Sequence, residues 1–176
     1  MTIPKTFLIL GGTRSGKTRY AMKLTERYPH RVYIATAKAL DDEMRDRIHH
    51  HQATRDQTWT TIEEPICLAK TIRKIQKYEN TAILVDCLTL WLSNLLFLNA
   101  DIELETRNLL DSINKTTEQL ILVSNEVGLG IVPSNKLARK FRDAQGHLNQ
   151  NIAATVDYVD FVISGLPLNL KPGIGK

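Results

Sequence analysis

The sequence predicts an α/β fold, a mostly parallel β-sheet with helices packed on both faces. Three observations lead there. Short, continuously apolar runs recur along the 176-residue chain, as strands buried on both faces require. Stretches compatible with helices separate them. A glycine-rich phosphate-loop pattern stands between the first apolar run and the first helical stretch.

The elements follow in order. Residues 6–10 predict a strand that runs directly into Gly11-Gly12. Residues 16–28 predict a helix, and residues 31–35, centred on Val32, Tyr33 and Ile34, a second strand. Residues 41–52 are polar and helical in pattern, and 59–62 predict a short strand. Residues 65–78 fit a helix with Pro65 in its first turn, where a missing N–H costs nothing. Residues 81–85 form a continuous apolar run bounded by polar residues, the pattern of a buried parallel strand. Helices are expected over 88–98 and 104–117, and a strand over 120–123. Ser134 is expected to cap a helix reaching residue 155, and residues 158–164 close the set as a strand. Segments 99–103 and 172–176 are expected to be the loosest. With no repeat, low-complexity tract or linker in view, one domain over 1–176 follows.

Composition narrows the function. Twenty-three basic and 19 acidic residues leave a formal charge of +4, with no basic run carrying interleaved aromatics. No nucleic-acid partner is demanded, and neutralising phosphates is a sufficient use for the excess. Two cysteines, Cys67 and Cys87, imply no disulfide framework. The N-terminus carries Pro4 and Lys5 and lacks the apolar length of a signal peptide, so a cytoplasmic protein is expected. Residues 81–98 are apolar enough to raise a membrane span, but Asp86, Thr89, Ser93 and Asn94 interrupt them. A strand followed by a helix is the expected reading.

Gly11-Gly12-Thr13-Arg14-Ser15-Gly16-Lys17-Thr18 fits G-x-x-x-x-G-K-[ST] at every fixed position. Glycines let the backbone curl so that successive N–H groups face a phosphate chain. Lys17 is expected to reach the β- and γ-phosphates and the Thr18 hydroxyl to ligate Mg²⁺. Asp86 ends an apolar strand, where such proteins keep the carboxylate that holds Mg²⁺ directly or through water. The alternative is a cap of the following helix, and the two roles can coexist.

The other unusual segment is Asp41-Asp42-Glu43-Met44-Arg45-Asp46-Arg47-Ile48-His49-His50-His51. Its acidic start suits a helix N-terminus. Three consecutive histidines point in three directions on a helix, about 100° apart, and lack the i, i+4 spacing of zinc ligands. A neutral imidazole can instead attack phosphorus, and Asp46 lies on the helix face of His50, four residues earlier. A solvated polar face is the alternative.

These two segments combine with Tyr33-Ile34-Ala35-Thr36 and with Asn125-Glu126-Val127-Gly128-Leu129-Gly130-Ile131-Val132-Pro133. Asn135, Leu137-Ala138-Arg139, Phe141-Arg142-Asp143, Gly146 and Asn149-Gln150 continue the pattern. Over nearly its whole length the chain resembles the bifunctional adenosylcobinamide kinase / adenosylcobinamide-phosphate guanylyltransferase family of cobalamin biosynthesis. The resemblance implies a RecA-like P-loop NTPase fold, a homotrimer, Mg²⁺, and ATP and GTP as substrates. It implies phosphorylation of adenosylcobinamide, then transfer of GMP from GTP to the phosphorylated product through a guanylyl-histidine. In the family that histidine follows an Arg-Ile pair after one intervening residue, which places it at His50. The implied nucleotide contacts are the P-loop residues, Thr36, Ala37, Lys38, His51, Gln52, Ala53, Thr54, Glu63 and Asp86. Some members carry Glu where Asp86 stands. Asn125 and Glu126 are expected either to shape a pocket or to form a turn. Arg139, Arg142 and Asp143 are expected to line the acceptor site or a subunit contact. The competing reading is a P-loop small-molecule kinase with no covalent intermediate, which needs Lys17 and Asp86 but not His50. A nucleotide-binding regulatory module is a further alternative.

Overall fold

The computed structural model describes residues 5–38, 57–75 and 80–172. The histidine segment, with His50, His51, Gln52, Ala53 and Thr54, lies outside the described residues. The strands are β1 (Thr6–Gly11), β2 (His30–Ala35), β3 (Trp59–Glu63), β4 (Thr81–Asp86), β5 (Gln119–Asn125), β6 (Tyr158–Ile163) and β7 (Leu166–Lys171). The described helices are α1 (Lys17–Lys23), α2 (Leu68–Ile75), α3 (Leu88–Phe97), α4 (Ile102–Asn114) and α5 (Lys136–Thr155).

The strands form a seven-stranded sheet in the order β3-β2-β4-β5-β1-β6-β7. All neighbours are parallel except β6 and β7. Because side chains alternate along a strand, each central strand feeds two cores. Leu8, Leu10, Ile83, Val85, Leu120 and Leu122 pack on one face with Leu68, Trp91, Leu92, Leu109, Leu148 and Ile152 of α2–α5. Phe7, Ile9, Leu84, Ile121 and Val123 pack on the other with Ala21 of α1. Helices therefore cover both faces, as the apolar runs predict. The fully buried Trp91 donates its indole N–H to the Ile66 carbonyl at 2.8 Å, so its one polar atom is satisfied.

Several boundaries differ from the sequence expectation, each for a local reason. Helix α1 ends at Lys23 rather than Tyr28, and its exit is tied by Thr25, whose hydroxyl donates to the Met22 carbonyl. Pro65 precedes α2 instead of starting it. The Glu64 carboxylate organises that entry by accepting from the N–H groups of Ile66 and Cys67 at 2.9 and 2.7 Å. The cap of α5 is Asn135, not Ser134, with Asn135 Oδ1 accepting from Leu137 N and Ala138 N. Asp101 caps α4 by accepting from Leu104 N, so Ile102 and Glu103 belong to a capped first turn rather than a loose segment. The apolar stretch 81–98 divides into β4 and α3, and no helix among the described residues is long and apolar enough to cross a membrane.

The end of β5 is anchored from below by a buried polar cluster. Ser124 Oγ donates to Asn149 Oδ1 at 2.7 Å, and Gln145 Nε2 donates to both Ser124 Oγ and Asn149 Oδ1. Asn149 Nδ2 in turn donates to the Asn125 carbonyl at 3.2 Å. An Asn149→Ala variant strips partners from Ser124, Gln145 and Asn125 at once. It is expected to lose about 2–3 kcal/mol of stability, read as a shift in urea midpoint at unchanged slope.

Candidate active site

The carboxyl ends of the parallel strands form one row, and the chemistry-bearing residues stand on it. The register aligns Ala35 with both Glu63 and Asp86, and Gly11 with both Asn125 and Val162. Ligands bind outside the carboxyl ends of such a sheet, so this edge is the place to look.

At the end of β1 the chain turns through the phosphate loop. Gly11 has φ 151°, and a Cβ there would collide with the Val162 carbonyl oxygen and lie 2.8 Å from Ser15 Oγ. Gly16 has φ 93°, and its Cβ would lie 3.2 Å from the Gly165 Cα. Only glycine fits either position. Arg14 also takes a left-handed φ of 55°. Among the described residues the buried Ser15 Oγ finds no hydrogen-bond partner inside the loop.

Lys17 is buried, 7% exposed, and its ammonium donates to the Gly12 carbonyl at 2.6 Å. Burial lowers its pKa from the ordinary lysine value, and negative charge beside it opposes the shift. Cys87 is not that charge near neutral pH, because burial and the adjacent Asp86 push its thiol up to about 11. The Asp86 carboxylate is therefore the counter-charge. An ammonium desolvated with one carbonyl acceptor is prepared to take phosphate oxygens as partners.

Asp86 is the junction of the site. Its Oδ2 accepts from Thr18 Oγ1 at 2.7 Å and from Tyr33 Oη at 2.9 Å. The helix-cap alternative is not taken, since the cap position of α3 is Cys87 and no side chain caps it. Tyr33 was not predicted as a site residue. It sits in the middle of an apolar strand, and its ring is core while only its hydroxyl reaches the carboxylate.

Thr36 locks β2 to β4. Its hydroxyl donates to the Cys87 carbonyl at 2.7 Å and accepts from Cys87 N at 2.8 Å, and Asn94 Nδ2 donates to the Thr36 carbonyl. Ala37 and Lys38 follow it, both partly exposed at the same edge. Glu63 ends β3 and is exposed there. Strands β2, β4 and β5 stand between it and the phosphate loop, on the order of 20 Å at about 4.8 Å per strand.

Beyond β5, Glu126 N donates to the Gly11 carbonyl at 3.1 Å, and the Glu126 carboxylate accepts from Gly128 N within the turn. Arg139 donates to the carbonyls of Pro133 and Ser134, and Arg142 lies 3.7 Å from Asp143. On the other side of β1, the turn between β6 and β7 presses on the loop, with Gly165 N donating to the Ser15 carbonyl at 2.8 Å. Tyr20 of α1 donates to Asp160 of β6 at 2.9 Å, and Asn169 of β7 donates to the other Asp160 oxygen at 2.7 Å. Neither β7 nor this brace was anticipated.

A family model described as cobinamide kinase / cobinamide phosphate guanyltransferase matches residues 7–170. The bifunctional adenosylcobalamin biosynthesis protein CobP of Pseudomonas aeruginosa is 47% identical over 167 residues, covering 93% of this chain and 96% of the relative. The bifunctional adenosylcobalamin biosynthesis protein CobU of Salmonella typhimurium is 39% identical over 181 residues, covering 93% and 98%. Among solved structures, a prototypical ATPase from the type III secretion system of pathogenic bacteria superposes with a TM-score of 0.57 at 10% identity. That match covers 95% of this chain and 57% of the ATPase, a likeness of fold alone.

Proposed function

The chain belongs to the cobinamide kinase / cobinamide phosphate guanyltransferase family, and from that premise we propose that one domain carries out two successive transfers. In the first, the hydroxyl of adenosylcobinamide attacks the γ-phosphorus of ATP or GTP, the bond to the β-phosphate oxygen breaks, the nucleoside diphosphate leaves and the hydroxyl proton passes to solvent. In the second, the imidazole of His50 attacks the α-phosphorus of GTP. An N–P bond forms, the bond to the β-phosphate oxygen breaks, and pyrophosphate leaves. The phosphate oxygen of adenosylcobinamide phosphate then attacks the same phosphorus, freeing His50 and giving adenosylcobinamide-GDP. Two displacements replace one difficult step.

The observation that supports this most directly is the convergence of Lys17, Thr18 and Asp86, with Thr18 and Asp86 in contact at 2.7 Å across 68 residues of sequence. Lys17 neutralises charge growing on the departing phosphates, and the loop N–H groups of Thr13–Gly16 orient them. Thr18 Oγ1 and Asp86 are hard oxygen donors side by side and fit Mg²⁺, with Asp86 acting directly or through water. Mg²⁺ would there supply further neutralisation of phosphate charge. In the guanylyl-transfer pose, guanosine extends from the loop past Asp86 toward Thr36, Ala37, Lys38 and Glu63, and the family resemblance adds contacts from His51, Gln52, Ala53 and Thr54.

The reading includes a homotrimer in the cytoplasm. Exposed Leu129, Ile131 and Val132 beyond β5, and Leu166, Leu168 and Leu170 on the edge strand, offer apolar surface to bury between subunits. The experiment that separates this reading from a plain kinase uses Mg²⁺, adenosylcobinamide, and GTP labelled at either the α- or the γ-phosphate. The γ-label is expected in adenosylcobinamide phosphate, and the α-label in the later product. A plain kinase never moves the α-label.

A further inference from the structure

The two proposed transfers ask opposite things of one triphosphate. Guanylyl transfer needs the α-phosphorus at the histidine, with the nucleoside on the Asp86–Glu63 side of the phosphate loop. Phosphorylation needs the γ-phosphorus at the acceptor and the nucleoside out of the way. The sheet order decides what lies on the loop's other side. There β1 is followed by β6 and β7, and the Ser164–Gly165 turn between them sits directly on the loop. Both turn residues take left-handed φ angles, 52° and 82°, and Gly165 N holds the Ser15 carbonyl at 2.8 Å. The turn is thus a fixed wall of the site.

One cation stands on that wall. Arg19 follows Thr18 in α1, and its Nη2 lies 3.1 Å from where a Cβ on Gly165 would sit and 3.7 Å from where one on Gly16 would. Arg19 is exposed and has no hydrogen-bond or ion-pair partner among the described residues. Most other arginines in the described residues are occupied, while Arg14 in the loop is, like Arg19, exposed and makes no hydrogen bond or ion pair to the described residues. Arg27 donates to Gln119, Arg73 to Ser112 and Arg139 to two carbonyls, and Arg31 lies over the Trp59 ring. Lys17 serves the Gly12 end of the loop, and Arg19 the Gly16 end. Glycine at 165 leaves room for the planar guanidinium beside the loop, whose five donors suit a phosphate and a ribose hydroxyl together.

We propose that Arg19, set against the Ser164–Gly165 turn, contacts the α-phosphate and ribose of the nucleotide in the phosphorylation pose and not in the guanylyl-transfer pose. The phosphate loop is then shared, while the nucleoside lies on one side of it for one reaction and on the other side for the second. This inference rests on the two-transfer reading given above.

The test measures both reactions on Arg19→Ala and Arg19→Lys. For phosphorylation of adenosylcobinamide, the nucleotide KM of Arg19→Ala is expected to rise about tenfold, the loss of one charge-assisted contact, and Arg19→Lys to recover part of it. The rate at which Mg²⁺ and α-labelled GTP guanylylate the protein is expected to stay within about twofold of wild type. A merely structural role would move both, because both use the same loop. Equal losses in the two assays, a loss confined to guanylylation, or an unchanged KM would each overturn the proposal. If the wild-type protein itself takes up no α-label, the two-transfer reading fails, and the KM comparison alone still decides whether Arg19 touches the nucleotide.

Discussion

A Lys17→Met protein is expected to fold as well as the wild type and to lose about two to three orders of magnitude in kcat/KM for both transfers. The two halves of this result have one cause. Lys17 is buried with a single carbonyl acceptor, and desolvation lowers its pKa. In the ligand-free protein its charge is a cost that the Asp86 carboxylate only partly offsets. Methionine keeps most of the apolar stem and removes that cost, so the urea midpoint holds or rises. Catalysis loses the cation that meets the growing charge on the leaving phosphates, and both reactions need it. A variant that lost only one activity would show that the two transfers do not share the loop.

The second large effect belongs to His50. A His50→Asn variant is expected to lose guanylyl transfer by about a thousandfold or more, with phosphorylation of adenosylcobinamide kept within about threefold. The asymmetry follows from the chemistry, since the phosphorylation step takes the acceptor hydroxyl as nucleophile and the guanylylation step takes the imidazole. Steady-state assays of each product, run on the same preparation, read the ratio. A parallel loss of both activities would mean that residue 50 supports the fold of the site rather than forming the intermediate.

The parts of this molecule legible in its sequence are those where one physical requirement dominates. Buried parallel strands must be apolar throughout, so β1, β4 and β5 are evident from their runs. The phosphate loop is evident because its glycines, lysine and threonine have fixed spacing. Edge strand β7 escaped notice because Leu-Pro-Leu-Asn-Leu-Lys is exposed at five of its six positions, so no buried pattern marks it. Its one local signal was Ser164-Gly165, a dipeptide common in tight turns, whose two left-handed residues fold β7 back on β6. Tyr33 was hidden for a different reason. A tyrosine in a buried strand looks like core, and only the pairing of Ala35 with Asp86 brings its hydroxyl to the carboxylate. Asp86 was legible as a candidate but not in its choice of partner, because the same position can cap a helix or face the loop. The contact with Thr18 settles that choice, and it depends on sheet order, which no local pattern contains.

A covalent guanylyl-histidine at His50 is sought on the protein itself. The wild type, His50→Ala and His51→Ala proteins are incubated with Mg²⁺ and GTP labelled at the α-phosphate, denatured, and separated on a gel. The expected label survives denaturation, is released by acid, remains in His51→Ala and is missing from His50→Ala. A label lost with His51→Ala instead moves the nucleophile by one residue, and no label on folded, GTP-binding wild-type protein contradicts the account.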